Sequence, residues 1–175
     1  METENIVKTK SNKIDIYLML VVAGVITIID QLTKYLIAVN IAEKTAIPVI
    51  RNFFYIVHTT NSGIAWGLLE GQTTLLILIT LVAFVLFGYI AKDVDFKHKK
   101  FLSFGIALMI GGAVGNFIDR VISGEVVDFL DFYFFGESFP VFNVADIALT
   151  IGMTCFAIDV LFFESKRESI TNDKT

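Results

Sequence analysis

The sequence predicts an all-α membrane protein: a bundle of four transmembrane helices, with a small extracytoplasmic β segment and an aromatic, amphipathic segment at the interface. Composition is the first indication. Hydrophobic residues make up 55% of the 175 residues and charged residues 18%, whereas soluble domains carry about 25% charged residues. The mean hydropathy is +0.71. In addition, four stretches are apolar over roughly the 20 residues that a helix needs to cross a bilayer.

The four stretches are predicted as transmembrane helices of a single integral membrane domain, residues 1–175. Their approximate bounds are 16–39, 73–91, 101–118 and 147–163. Spanning backbone must satisfy its own hydrogen bonds, and segments this rich in Leu, Ile and Val do so as helices.

The two longer connections, about 40–72 and about 119–146, are predicted to lie outside the bilayer. The first contains a β-branched and aromatic run at 46–60, followed by the turn residues 61–63, which indicates short strands. The second contains seven aromatic residues between 129 and 142. That density is typical of the headgroup zone, where we expect an amphipathic turn of helix.

Basic residues predict the orientation of the bundle. Ten of the 14 lysines and arginines flank one side of the predicted spans: Lys8, Lys10, Lys13, Lys92, Lys97, Lys99, Lys100, Lys166, Arg167 and Lys174. Because basic residues concentrate on the cytoplasmic side, both termini are predicted to lie in the cytoplasm.

Other residue counts exclude several classes of protein. One Cys and two His residues leave no internal disulfide and no Cys/His zinc set. A net charge of −4 gives no footprint for nucleic acid. Any chemistry must therefore come from carboxylates, amides, hydroxyls or a lysine, without a metal.

Polar side chains gather at the outer ends of the predicted spans. They are Asp30, Lys34, Asn61, Asn116, Asp119, Arg120, Asp128, Asp131, Asn143 and Asp146. Ionisable groups at a membrane span are costly and indicate a functional site by default. Structural alternatives remain open for several: ion pairs of Asp30 with Lys34 and of Asp119 with Arg120, and an N-cap at Asn143.

Asp128 and Asp146 are the strongest candidates for catalysis. Asp128 has apolar neighbours and no Lys or Arg within five residues, and Asp146 opens an apolar helix. Both lie on the connection between the third and fourth spans, so they can meet. Two carboxylates close together in a poorly solvated place share one proton, and that arrangement serves aspartic proteases.

At this point the sequence resembles the bacterial lipoprotein signal peptidase (signal peptidase II) family. The resemblance rests on five blocks in the family's order: Asp30-Gln31-Leu32-Thr33-Lys34, Asn61-Ser62-Gly63-Ile64-Ala65-Trp66-Gly67, Gly111-Gly112-Ala113-Val114-Gly115-Asn116-Phe117-Ile118-Asp119-Arg120, Val126-Val127-Asp128-Phe129 and Phe142-Asn143-Val144-Ala145-Asp146. They extend over about two-thirds of the chain. Trp66, where the family commonly has Phe, is a conservative departure.

The resemblance implies a catalytic pair, Asp128 and Asp146, in an aspartyl endopeptidase of the bacterial cell membrane with its site near the outer face. Its substrate would be a diacylglyceryl-modified prolipoprotein, cleaved on the N-terminal side of the lipidated cysteine. It implies no cofactor, block by globomycin-type inhibitors, and contact with membrane lipid. We also expect a monomer. Substrate-binding or supporting roles would fall to Asn61, Gly63, Asn116, Asp119, Arg120, Asn143, Asp30 and Lys34.

Two other functions remain open from the residues alone. One is a peptidase that uses Ser62 as the nucleophile and Lys34 as its base, since both lie at the outer side. The other is a small proton-coupled carrier, although four spans are few and no inverted repeat is visible.

Overall fold

The structure is a computed structural model that describes residues 11–164, and four long helices dominate this part of the chain. They are α1 (Lys13–Asn40), α2 (Thr73–Ile90), α3 (Lys100–Ile122) and α4 (Val144–Ile158). A short 3-10 turn extends α2 to Asp93, and a π-helical turn extends α4 to Glu164. Each of the four is long and apolar enough to cross a membrane. The predicted membrane bundle is thus confirmed.

Five of the basic residues that predict the orientation lie outside the described residues. They are Lys8, Lys10, Lys166, Arg167 and Lys174. The placement of both termini in the cytoplasm therefore remains a prediction.

Helix α3 forms the centre of the bundle, with α1 and α4 packed against it. Within its most apolar window 61% of residues are buried, against 6% for α2. Glycines allow this close approach, because a Cβ on Gly112 would lie 2.5 Å from the carbonyl oxygen of Ala145. Small residues at such contacts are typical of membrane helices, where close packing drives association. Helix α2 is by contrast peripheral.

The two longer connections combine into one antiparallel sheet of four strands in chain order. The strands are β1 (Ala46–Ile50), β2 (Phe54–Asn61), β3 (Val126–Phe134) and β4 (Glu137–Ser138). The pairing of β2 with β3 joins the connection before α2 to the connection before α4. The strands predicted around 46–60 are therefore present.

The aromatic segment after Asp128 differs from the helical turn expected there, because it forms strands β3 and β4. Its residues pair with β2, and aromatic residues suit the pleated surface of a sheet. The stacked rings of Phe54 and Phe132, with centroids 4.5 Å apart, join the two strands. Phe132 also stacks on Phe142, at 5.8 Å, which extends the aromatic cluster towards α4.

Candidate active site

Strand β3 carries Asp128 into the space between the sheet and the helices, where its side chain is buried. Two amides donate hydrogen bonds to its carboxylate. Asn61 Nδ2 lies 3.0 Å from Oδ2, and Asn143 Nδ2 lies 2.7 Å from Oδ1. The N–H of Gly63 donates to Asn61 Oδ1 over 2.9 Å, which fixes the direction of the Asn61 amide.

Asp146 lies in the first turn of α4 and forms a capping box with Asn143. The N–H of Asp146 donates to Asn143 Oδ1 at 3.0 Å, and the N–H of Asn143 donates to Asp146 Oδ2 at 3.1 Å. Asn116 Nδ2 donates to the other oxygen, Oδ1, at 2.8 Å. The cap predicted as a structural alternative for Asn143 is therefore present, and it holds one of the two candidate acids.

The two acids meet through Asn143, which is completely buried. Its side-chain amide donates to Asp128 and its backbone N–H donates to Asp146. Both carboxylates also line one cavity of about 630 Å³. The structure thus brings Asp128 and Asp146 to one site, as their positions in the sequence predict.

The carboxyl group of Asp128 holds its proton more tightly than an exposed aspartate does. Burial is the largest cause and the negative charge of Asp146 is the second; together they raise the pKa of Asp128 from 3.8 to about 6. Hydrogen bonds from Asn61 and Asn143 and the charge of Lys34 act in the opposite direction. The pKa of this carboxyl group thus lies closer to neutral pH than that of an exposed aspartate.

Lys34 contacts the amide group that binds Asp146, and its side chain is only 4% exposed. Its ammonium group contacts Asp30 Oδ2 at 2.8 Å, Asp119 Oδ2 at 2.9 Å and Asn116 Oδ1 at 2.8 Å. These three acceptors use all three of its protons. The expected pair of Asp30 and Lys34 is present, whereas Asp119 pairs with Lys34 instead of Arg120.

Two groups in this network were not singled out from the sequence. Gln31 Nε2 donates to Asp119 Oδ1 at 2.8 Å, and the backbone N–H of Ala145 donates to Asp30 Oδ1 at 2.9 Å. Gln31 has a visible signal, since it is a polar residue next to Asp30 within an apolar span. The Ala145 contact has none, because a backbone group carries no side-chain signature.

Arg120 connects α3 to the loop after β2. Its Nη2 donates to the carbonyl oxygen of Gly63 at 3.0 Å. That position requires glycine, because a Cβ there would lie 2.6 Å from the carbonyl oxygen of Leu68. Arg120 also lines the cavity, and its Nε is buried with no hydrogen-bond partner in the described part of the chain.

The cavity continues from the two acids along the helices. Its walls include Ile79, Ala83 and Phe87 of α2, and Leu149 and Ile151 of α4. Trp66 and Phe139, whose ring centroids are 6.0 Å apart, also line it. The polar site therefore lies at one end of a long apolar groove.

Ser62 and Lys34 do not form the alternative nucleophile and base. Ser62 Oγ accepts a hydrogen bond from the N–H of Gly71 at 3.2 Å, and the protons of Lys34 are directed to Asp30, Asp119 and Asn116.

Comparison with known families decides the assignment. A family model described as signal peptidase (SPase) II matches residues 22–162. The chain belongs to the signal peptidase II family. It is thus an aspartyl hydrolase with membrane-spanning helices, as the sequence predicts.

Relatives of this signal peptidase II cover most of its length. The lipoprotein signal peptidase of Bacillus pumilus (strain SAFR-032) is 43% identical over 86% of this chain and 97% of its own. That of Staphylococcus aureus (strain bovine RF122 / ET3-1) is 41% identical over 81% of this chain and 86% of its own.

Two solved structures, both described as bacterial membrane enzymes obtained by the in meso method, share the fold. The structure at 2.3 Å resolution has a TM-score of 0.77 and 39% identity, over 87% of this chain and 91% of that one. The structure at 1.9 Å resolution has a TM-score of 0.76 and 39% identity, over 88% and 97%.

Proposed function

We propose that this signal peptidase cleaves diacylglyceryl-modified prolipoproteins on the N-terminal side of the lipidated cysteine, with Asp128 and Asp146 acting together on one water molecule. The observation that carries the proposal is the placement of both carboxylates on Asn143, at the polar end of an apolar groove. Two acids at one site provide the general base and the general acid that hydrolysis of a peptide bond needs.

The reaction needs one proton shared by the two carboxyl groups. The ionised group removes a proton from water, whose oxygen attacks the scissile carbonyl carbon, while the protonated group donates to the carbonyl oxygen. Collapse of the tetrahedral intermediate breaks the C–N bond, and the departing amine takes up a proton from the pair. Burial and mutual repulsion favour this singly protonated state, because they oppose ionisation of both groups.

Amides keep the two acids in place during this exchange. Asn61, Asn116 and Asn143 donate to carboxylate oxygens, and Lys34 fixes the Asn116 amide by donating to its oxygen. With its oxygen bound to Lys34, the Asn116 amide directs its Nδ2–H group to Asp146. Such prior orientation matters because loosely held catalytic groups lose much of their rate advantage.

Arg120 is positioned to bind the substrate backbone. Its side chain lines the cavity close enough to the acids that their charges act on it, and its buried Nε–H has no hydrogen-bond partner within residues 11–164. A buried donor without a partner costs about 1–3 kcal/mol. We expect a carbonyl oxygen of the substrate to take this place, so that binding restores the missing hydrogen bond.

The apolar groove between α2 and α4 suits a substrate that stays in the membrane. A signal helix and two acyl chains are as apolar as lipid, and a lateral groove lets the peptide reach the acids while they remain in the bilayer. In this proposal both termini lie in the cytoplasm, the site lies near the outer face, and a monomer is sufficient. Globomycin-type inhibitors would occupy the same groove.

Cleavage of a synthetic prolipoprotein segment tests the proposal. We expect the purified enzyme to cut the diacylglyceryl-modified peptide and to leave its unmodified counterpart largely intact, with mass spectrometry placing the cut before the modified cysteine. Asp128→Asn should abolish cleavage, and Ser62→Ala should retain most of it. A cut elsewhere, equal turnover of both peptides, or activity lost in Ser62→Ala would contradict the proposal.

A further inference from the structure

A second pocket lies in the sheet, apart from the cavity that holds the two acids. It has a volume of about 420 Å³ and is lined by Ala46, Asn52, Tyr55, Asp131, Tyr133 and Gly136. Tyr55 and Asp131 are directly paired across β2 and β3, so their side chains are on the same face of the sheet. Asp128 is three residues from Asp131 along β3 and is therefore on the opposite face.

The carboxylate of Asp131 is the charged group of this pocket, and it is poorly compensated. Asp131 is only 6% exposed, and Ser138 Oγ donates to its Oδ1 at 2.9 Å. No ion pair and no other hydrogen bond reaches its side chain within residues 11–164. A buried carboxylate with a single hydroxyl donor is unfavourable unless a cation joins it.

Two aromatic rings complete the pocket beside this carboxylate. The rings of Tyr55 and Tyr133 meet edge to face with centroids 5.3 Å apart. The hydroxyl of Tyr55 accepts a hydrogen bond from the N–H of Asn52 at 3.1 Å, which holds that ring in place. Aromatic faces attract ammonium and guanidinium groups and also pack against the apolar stems that carry them. A carboxylate flanked by two tyrosines therefore selects for a cation on an apolar stem.

The pocket and the cavity of the two acids share the hairpin of β3 and β4 as a boundary. Gly136 lines the pocket and Phe139, three residues later, lines the cavity of the two acids, so the hairpin of β3 and β4 separates them. Three extended residues cover roughly 10 Å, and a lysine or arginine side chain adds to that reach. The segment that follows the cleavage site can thus pass the hairpin and place a side chain in the pocket.

We propose that the pocket of Asp131, Tyr55 and Tyr133 is a subsite for a lysine or arginine side chain of the prolipoprotein, a few residues after the lipidated cysteine. This inference rests on the proposed function, because it assumes that the same substrate lies at Asp128 and Asp146. It adds a preference for positive charge in the mature part of the substrate, which the two acids themselves do not supply.

Matched lipidated peptides test the subsite. Each has alanine at positions two to six after the modified cysteine, and in a second set one of these alanines is replaced by lysine. We expect the wild-type enzyme to show a kcat/KM about fivefold higher for lysine at one or two positions, the size of a modest cation–π and ion-pair contribution. Asp131→Asn should remove this preference and leave the all-alanine peptide unaffected, whereas the exposed control Glu137→Gln should retain it.

Other outcomes overturn the subsite in distinguishable ways. Equal turnover of both peptides by the wild-type enzyme rejects the subsite while leaving the proposed function standing, and failure to cleave either peptide rejects the proposed function. If Asp131→Asn lowers kcat/KM equally for the all-alanine and the lysine-containing peptides, Asp131 has a structural role and the subsite is rejected. If that variant does not fold, Tyr133→Leu must reduce the lysine preference. Assays in micelles without amine headgroups and in phosphatidylethanolamine vesicles complete the test, since an Asp131 effect confined to the vesicles assigns the pocket to a lipid amine.

Discussion

Asn143 joins a helix cap to the two candidate acids within one residue. Its side-chain oxygen caps α4, its amide group binds Asp128, and its backbone N–H binds Asp146. The sequence predicts the cap and the site role as alternatives, because an asparagine before an apolar helix fits either. The structure shows the cap together with hydrogen bonds to both candidate acids, since the two hydrogen-bonding ends of one amide point in different directions. Such a double use cannot be predicted from residue type and spacing alone.

The pKa of Asp128 predicts a pH dependence of stability. Because that pKa is raised from 3.8 to about 6, folding favours the protonated form. The stabilisation is complete below the ordinary pKa and is lost as pH rises through about 6. The shift corresponds to about 3 kcal/mol. Asp128→Asn should therefore show a smaller fall in thermal midpoint between about pH 4 and pH 7 than the wild type, and parallel curves would contradict this origin of the effect.

At the scale of elements, the helices are far more predictable than the sheet. Long apolar runs indicate spans whatever surrounds them, because each helix satisfies its own backbone. The pairing of β2 with β3 depends on contacts between segments about 70 residues apart, and no local pattern encodes them. For the same reason the sequence does not distinguish the strand Val126–Phe134 from an interfacial helical turn, since aromatic density is compatible with both.

The close contact of α1 with α3 gives a second prediction, at Gly115. A Cβ there would collide with the carboxylate of Asp30, which Lys34 also binds. Gly115→Ala should therefore lower the free energy of unfolding by about 1–3 kcal/mol and reduce activity. Gly24→Ala is the matched control in α1, where a Cβ meets nothing within 4 Å; it should be neutral or stabilising by up to about 1 kcal/mol. Equal effects of the two changes in thermal unfolding would refute this packing.

At the scale of the whole molecule, the apolar helices and the four-stranded sheet meet at the two acids. Apolar helices line most of the groove, and strands β2 and β3 contribute Asn61 and Asp128 to its polar part. The sequence predicts both parts and the convergence of polar residues between them. It does not predict the groove itself, because the gap beside α2 depends on how loosely that helix packs.

The groove gives a third prediction, on α2. Ala83 lines the cavity, whereas Val85 on the same helix is 74% exposed. Ala83→Phe should obstruct the apolar part of the substrate and raise KM for a lipidated peptide about tenfold, a loss of about 1.4 kcal/mol in binding. Val85→Phe, facing away, should leave KM unchanged. The test is the KM for the lipidated peptide, measured in both purified variants. An unchanged KM in Ala83→Phe would mean that the substrate does not occupy the groove beside Ala83.

Joint action of Asp128 and Asp146 is tested most directly by a double-mutant cycle in kcat/KM on a lipidated peptide. Groups that act as one unit give strongly non-additive losses. We therefore expect Asp128→Asn and Asp146→Asn each to reduce kcat/KM by about 10³-fold or more, and the double variant to be no worse than either. Losses that multiply in the double variant, or substantial activity in either single variant, would contradict the shared-proton mechanism.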